Sequence, residues 1–186
     1  MDDLTFIKDY LARYKKSLFE TDISQELVKM KKMLLELKKT GKKVIIAGNG
    51  GSAALASHVA VDFTKQGGVR SINFNEADLI TCFANDYGYE HWVAKAVEFY
   101  GDDGDMVILI SSSGSSQNMI KAAQTAKRMG MLVITFTGFA VDNPLKQEGI
   151  LNFWVDSKAY NIIENTHQIW LLMVCDLIIG KAEYSA

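Results

Sequence analysis

Apolar residues along the chain follow two different periods, and the change between them divides the sequence. Residues 4–19 and 24–39 repeat apolar side chains at intervals of three and four, which predicts two amphipathic helices. Gly41 stands where a glycine commonly ends a helix. From position 43 the pattern changes to short, continuous apolar runs, which indicate strands buried on both faces of a sheet.

Five apolar runs alternate with helical stretches in the rest of the chain. The predicted strands are 43–47, 69–74, 106–110, 132–136 and 150–155, and the predicted helices lie near 52–65, 78–99, 117–129, 142–147 and 161–179. Strands that alternate with helices pair in parallel through right-handed crossovers. The pattern therefore predicts a three-layer α/β protein with a flavodoxin-like five-stranded parallel sheet, ordered 2-1-3-4-5. We expect one domain over residues 1–186, with N-terminal helices over 1–40 and the α/β core over 41–186.

The composition narrows the class of protein without indicating a function. Hydrophobic residues make up 48% and charged residues 23% of the chain, as in a globular protein, and the formal net charge of −2 gives no electrostatic case for nucleic acid. We expect neither a secretory signal nor a membrane span, because the N-terminus is charged and the longest apolar run is 169–175. Cys82 and Cys175 lack a CxxC spacing, so buried, reduced thiols and a cytoplasmic location are expected.

Two loops rich in glycine and serine follow the first and third predicted strands. They are 48–52, GNGGS, and 111–116, SSSGSS. In a sheet of this order, ligands bind at the carboxyl ends of these two strands, where the strand order reverses. Glycines let the backbone N–H groups turn inward, and each following helix adds positive charge at its N-terminus, so the pair predicts a phosphate site. The predicted binding residues are Asn49, Gly50, Gly51, Ser52, Ser111, Ser112, Ser113 and Ser116, with Asn118 as a further amide donor.

Other interpretations of these loops stay open. Glycine and serine at a strand-to-helix turn are also ordinary turn and capping residues. The first loop matches a G-x-G-x-x-A variant of the dinucleotide fingerprint at Gly48, Gly50 and Ala53, with Glu76 available as a ribose ligand. A dinucleotide site does not require the second serine loop, and no G-K-[ST] follows as in a Walker A loop. Together the two loops favour a sugar phosphate.

Several segments resemble the phosphoheptose isomerases, which carry a sugar isomerase (SIS) domain. They are GNGGSAA at 48–54, followed by His58 and Asp62, then ANDYG at 84–88, ISSSGSSQN at 110–118, IENTH at 163–167 and CD at 175–176. The resemblance covers nearly the whole chain. It implies an SIS fold and an aldose–ketose isomerase that acts on sedoheptulose 7-phosphate or a related sugar phosphate, for bacterial lipopolysaccharide or capsule. It also implies a homotetramer with active sites between subunits, and zinc in some members.

The resemblance also implies roles for particular residues. The family's base is a glutamate four residues after a histidine on the first core helix, and the matching residues here are Asp62 and His58. Because the two residues are four positions apart, their side chains lie on the same face of the helix. Asp62 and Glu164 are therefore the predicted catalytic residues, and Asp86 is a predicted substrate contact. No cofactor is expected to be required, although His58, Asp62 and Glu164 form a candidate zinc site.

The chain departs from the family where a proton donor is expected. The family's acid histidine on the last helix corresponds to Leu172, which cannot donate a proton, and a family glutamine corresponds to Glu164. His167 is a candidate substitute acid, or else a packing residue. A second hypothesis therefore stays open: a non-catalytic sensor or adaptor that binds a phosphosugar or a protein partner, resembling the DnaA initiator-associating protein. Leu172 favours this hypothesis, whereas the carboxylate of Asp62 favours the isomerase.

Overall fold

The computed structural model describes residues 2–184 and arranges them as a parallel sheet between layers of helices. The helices are α1 (Asp3–Phe19), α2 (Ser24–Thr40), α3 (Gly51–Lys65), α4 (Ala77–Tyr87), α5 (Trp92–Tyr100), α6 (Gln117–Arg128), α7 (Pro144–Glu148) and α8 (Tyr160–Ile179). The strands are β1 (Val44–Gly48), β2 (Ser71–Ile72), β3 (Met106–Ser111), β4 (Leu132–Thr137) and β5 (Leu151–Trp154). This arrangement confirms the predicted three-layer α/β class.

The sheet has the order β2-β1-β3-β4-β5 with every pair parallel, as predicted. All residues of β1 and β3 are buried, which explains why these strands appear in the sequence as continuous apolar runs. Gly48 at the end of β1 pairs with Ile110 near the end of β3. The two glycine- and serine-rich loops therefore leave the sheet side by side.

Two predicted elements differ from the structure. The strand predicted over 69–74 is only two residues long, because the side chain of Asn73 accepts a hydrogen bond from the backbone N–H of Asn75 at 3.0 Å and turns the chain away. The helix predicted over 78–99 is divided into α4 and α5. The division falls at Gly88, whose φ of 84° is a conformation that glycine adopts most readily.

α4 lies at the surface, and this affects one prediction about the cysteines. Both cysteines are free, and Cys175 is buried as expected. Cys82 is exposed, because none of the residues of α4 is fully buried. The prediction that Cys82 is buried was therefore wrong: the apolar residues around it are only partly covered by α5.

α2 and α8 pack together, whereas α1 leaves most of its apolar side chains uncovered. The predicted stripe of α2 is buried and shares a core cluster with Trp170, Leu171 and Val174 of α8. In the described part of the chain, α8 is the one helix with the length and apolar composition to cross a membrane, a test that core helices also pass. In α1 only Ser17 is buried, and Leu4 and Leu11 remain 71% and 61% exposed.

Candidate active site

The two serine loops form the walls of one small cavity at the carboxyl ends of β1 and β3. Its volume is about 110 Å³, and it is lined by Asn49, Ser52, Ile110, Ser111, Ser112, Ser113, Ser116, Tyr160 and Glu164. Most of the residues predicted to bind phosphate are therefore brought together. Gly50 has a φ of 56° and makes the turn from β1 into α3, which explains the need for glycine at this position.

The lining of this cavity offers uncharged hydrogen-bond donors and no lysine or arginine. The N-termini of α3 and α6 both begin in its loops, and their free N–H groups carry partial positive charge. Ser111 and Ser116 share a hydrogen bond of 3.0 Å, whereas the buried hydroxyl of Ser112 has no partner. Because a buried hydroxyl is normally hydrogen-bonded, Ser112 is a donor available to a bound anion.

A pair of amides holds the two loops together. The amide nitrogen of Asn49 donates to the side-chain oxygen of Asn118 at 3.0 Å, and that of Asn118 donates back at 2.8 Å. Tyr89 also donates its hydroxyl proton to the side-chain oxygen of Asn49, at 3.1 Å. Both asparagines were expected to donate to phosphate, but here these amides bond to each other. The contribution of Tyr89 was missed, since no local sequence pattern connects it to the loop.

Glu164 lies where the serine cavity meets a second, larger cavity. The second cavity has a volume of about 390 Å³ and is lined by Gly51, Ala54, Leu55, His58, Glu164, Asn165 and Gln168. Burial raises the pKa of the Glu164 carboxyl above its ordinary value, and the nearby Ser112 hydroxyl, outside good hydrogen-bond geometry, partly opposes the rise. Glu164 therefore keeps its proton to a higher pH than an exposed glutamate would.

His58, on α3, has a polar neighbour at each ring nitrogen. Its Nε2 is 3.3 Å from Oδ2 of Asp62, one turn further along α3. Its Nδ1 is 3.0 Å from the amide nitrogen of Gln168 on α8. His58 lines the larger cavity, whereas Asp62 lines neither cavity. Sequence reasoning found the pair on α3 but missed Gln168, which is 110 residues away along the chain.

The candidate zinc site does not fit the observed arrangement. Among residues 2–184, no group of three or more His, Cys, Asp or Glu side chains could hold a metal ion. Nδ1 of His58 is already hydrogen-bonded to Gln168, and Leu172 packs against the apolar core. His58, Asp62 and Glu164 therefore do not form the predicted zinc site.

Two other candidates lie outside these cavities. Asp86 is exposed on α4 and accepts a hydrogen bond of 2.9 Å from Asn85, so its contact with substrate stays a prediction. His167 is fully buried, and its Nε2 is 3.0 Å from the backbone oxygen of Thr137. Burial lowers the pKa of His167 to about 4. Its place in the core makes it a packing residue and not the substitute acid.

Comparison with known proteins identifies the family. Residues 7–138 match the SIS domain family model. A phosphoheptose isomerase from Fusobacterium nucleatum is 34% identical over 97% of this chain and 94% of its own length, and one from Thermodesulfovibrio yellowstonii is 36% identical over 90% and 85%. The structure of a phosphoheptose isomerase from Francisella tularensis has a TM-score of 0.89 and 26% identity, with 97% of this chain and 100% of that chain covered. The chain belongs to the SIS domain family and, within it, to the phosphoheptose isomerases.

Proposed function

We propose that this protein is an aldose–ketose isomerase that interconverts sedoheptulose 7-phosphate and glycero-manno-heptose 7-phosphate, or a related pair of sugar phosphates. The observation that carries the proposal is the position of Glu164, which lines both the serine cavity and the cavity of His58. A sugar phosphate anchored by its phosphate in the first cavity would extend across Glu164 into the second. Its carbonyl end would then lie between Glu164 and His58.

The serine cavity suits the phosphate group in particular. Helix N-termini and serine hydroxyls can bind a dianion without a lysine or arginine. The unpartnered hydroxyl of Ser112 gains a hydrogen bond when an oxyanion binds, so the free protein holds a donor ready for the ligand. The bound phosphate then anchors the whole sugar and holds its reacting carbons in a fixed position, although these carbons lie far from the anchor.

The reaction needs an acid at the sugar oxygen and a base at the adjacent carbon. Glu164 suits the acid, because its raised pKa favours the protonated form. This role would compensate for Leu172, which stands where relatives carry a histidine. On the base side, His58 and Asp62 are the two candidate acceptors of the proton taken from carbon. His58 lines the cavity, and its Nε2 is 3.3 Å from Oδ2 of Asp62.

We also propose a homotetramer in the cytoplasm whose product supplies surface polysaccharide. The support for assembly is α1, whose apolar side chains are exposed in a single chain and would be covered by a second copy. A subunit packed on this face could also bring exposed residues such as Asp86 towards a neighbouring site. The sensor hypothesis rests on Leu172 alone, and Glu164 offers the isomerase another proton donor.

The test is proton exchange in deuterated water with a panel of ketose and aldose phosphates. An enediol intermediate exchanges the hydrogen on the carbon next to the carbonyl, so deuterium incorporation detects turnover without requiring the correct product to be guessed. We expect incorporation with a heptose phosphate and a strong loss in Glu164→Gln. Calorimetric binding of sugar phosphates with no incorporation from any of them would contradict the isomerase and favour the sensor.

A further inference from the structure

A tyrosine of α1 forms hydrogen bonds with the beginning of α8, close to the larger cavity. The Tyr14 hydroxyl is 3.2 Å from the backbone oxygen of Asn161 and 2.7 Å from the amide nitrogen of Asn165. Three residues further along α1, the hydroxyl of Ser17 is 3.1 Å from that of Thr166. These polar contacts hold α1 against the first two turns of α8.

The hydrogen bonds of Tyr14 determine how the amide group of Asn165 is turned. A phenol has one proton, and the backbone oxygen of Asn161 can only accept, so Tyr14 donates its proton to that oxygen. The phenol oxygen is then left as an acceptor for Asn165, and only the nitrogen of an amide can donate to it. Nδ2 of Asn165 is therefore held against Tyr14, and Oδ1 lies on the other side of the amide.

Asn165 lines the cavity of about 390 Å³ together with Glu164 and Gln168. Tyr14 lines neither this cavity nor the serine cavity, so the nitrogen of the Asn165 amide is engaged outside them. Among residues 2–184, no group donates a hydrogen bond to Oδ1 of Asn165. The side chain therefore offers a free acceptor at the larger cavity, whereas the serine cavity offers mainly donors.

We infer that Oδ1 of Asn165 accepts a hydrogen bond from a hydroxyl group of the sugar, and that Tyr14 is the positioning residue that fixes the amide for this contact. This inference rests on the proposed function and assigns a residue that recognises the sugar and not its phosphate. Asn165 follows Glu164 directly on α8, so a sugar that extends across Glu164 would pass it. The ligand class is a chain of hydroxyl groups, since each hydroxyl has a proton to donate. A site that bonds a hydroxyl discriminates against analogues that lack it.

The role of Tyr14 can be given a magnitude. Without its hydroxyl, two orientations of the amide and three staggered χ1 rotamers would give Asn165 about six arrangements, of which one presents Oδ1 to the sugar. Affinity falls with the fraction of molecules in the competent arrangement, so the largest expected loss is about sixfold. Phenylalanine at position 14 would keep the ring and its edge contact with Tyr10, at 5.5 Å between centroids, so the packing of α1 should be retained.

Two ligands separate recognition of the sugar from recognition of the phosphate. Calorimetry on the full chain measures the affinity for sedoheptulose 7-phosphate and for inorganic phosphate, which has no sugar hydroxyl. Asn165→Leu removes both polar atoms of the amide and should weaken binding of the sugar phosphate about two- to tenfold, the usual effect of one neutral hydrogen bond. Tyr14→Phe should weaken it by about two- to sixfold. Both variants should bind inorganic phosphate as the parent does, which also shows that the serine loops remain folded.

A combined variant tests whether Tyr14 acts through the amide. In the Asn165→Leu background, Tyr14→Phe should have no additional effect on the affinity for the sugar phosphate. Tyr100→Phe is the control: it removes a hydroxyl group from a tyrosine of α5 that lines neither cavity, and it should match the parent.

Three results would contradict parts of this scheme. Parent affinity of Asn165→Leu for sedoheptulose 7-phosphate, or an equal loss of affinity for inorganic phosphate, would overturn the contact between Asn165 and the sugar. Additive losses in the combined variant would overturn the positioning role of Tyr14. Binding of the sugar phosphate by the parent without deuterium exchange would overturn the proposed isomerase, and the measured affinities would still decide the role of Asn165.

Discussion

The carboxyl group of Glu164 occupies the space into which a side chain at Gly51 would project. A Cβ atom built at position 51 would overlap the carboxyl oxygens of Glu164, which comes from α8 at the other side of the cavity. A larger residue at this point of the first serine loop would therefore displace the carboxyl group, although the backbone there does not need glycine. The phosphate loop and the proposed acid are coupled through one steric contact.

Gly51→Ala should displace the Glu164 carboxyl and lower the exchange rate by about a hundredfold, because misplacements of about 1 Å can cost that much. The φ of Gly51 is not in the left-handed region, so alanine is compatible with the backbone and stability should change little. Kinetics and thermal unfolding check the two expectations separately.

A double-mutant cycle distinguishes this contact from a general effect of the loop. Glu164→Ala removes the atoms that alanine at position 51 would meet, so Gly51→Ala should have almost no additional effect on exchange in that background. Additive losses in the double variant would mean that Gly51 acts on something other than the carboxylate.

Ser112→Ala should weaken sugar-phosphate binding without lowering the free energy of unfolding. The hydroxyl has no partner in the free protein, so its removal breaks no internal hydrogen bond. In the complex it would donate to a charged oxygen, a bond worth about 1.5–3 kcal/mol, or roughly a ten- to hundredfold change in affinity. Ser52→Ala and Ser113→Ala should weaken binding by a similar factor.

Calorimetry measures the affinities, and Ser115→Ala is the matched control. Ser115 is exposed in the same loop and does not line the cavity, so its replacement should leave the affinity unchanged. Equal affinities for Ser112→Ala, Ser113→Ala and the parent would remove the second loop from the phosphate site.

The sheet order and the two loops could be predicted because they depend on local patterns. Continuous apolar runs indicate buried parallel strands, and the order of such strands determines where their following loops meet. The break at Gly88 was missed because the apolar pattern continues on both sides of it. Contacts such as Gln168 with His58 could not be predicted, since they depend on how two distant helices pack. The sequence therefore indicates which loops form the candidate phosphate site. It does not indicate which side chains of α3 the side chains of α8 contact.

His167 should make the stability of the protein fall between pH 6.5 and pH 4. Burial lowers its pKa from 6.5 to about 4, so the unfolded state binds more protons than the native state in this range. The stabilisation is complete above the unfolded pKa and is lost as the pH falls towards the native one, by about 3 kcal/mol. In His167→Gln, the free energy of unfolding measured with denaturant should not show this decrease.

The comparison variant for this pH dependence is His91→Gln, at a half-buried histidine outside the core. It should keep the pH dependence of the parent. If His167→Gln and the parent lost stability in parallel from pH 7 to pH 4, the buried imidazole would not be the cause.

The exposed face of α1 should form a subunit contact. Leu4, Ile7 and Leu11 repeat at intervals of three and four and are all more than half exposed. Light scattering of the parent should give about four times the 20.7 kDa of one chain, and Leu11→Glu should reduce the mass, because a carboxylate would be buried without a partner. Val141→Glu is the control: it alters an apolar residue that is equally exposed but lies outside α1, and it should leave the mass unchanged. A parent that is already a monomer would contradict the assembly.

Leu172→His should raise the exchange rate. Leu172 lies four residues after Gln168 and eight after Glu164, so the three share one face of α8. A histidine there would add a proton donor in the position that the family resemblance assigns to the acid, and a general acid typically contributes about 10²–10⁴ in rate. Because Glu164 is the proposed acid in the parent, a gain at the lower end of this range, or less, is expected.

The same variant should be slightly less stable than the parent, because Leu172 packs against the apolar core and an imidazole would be partly buried there. Met173→His is the control: it introduces the same side chain at the next, exposed position, which points about 100° away around the helix. A gain in Leu172→His that Met173→His does not reproduce would identify the missing donor as the limit on turnover. If both variants fold and exchange at the parent rate, protonation of the sugar oxygen is not limiting, and Glu164 already supplies the proton fast enough.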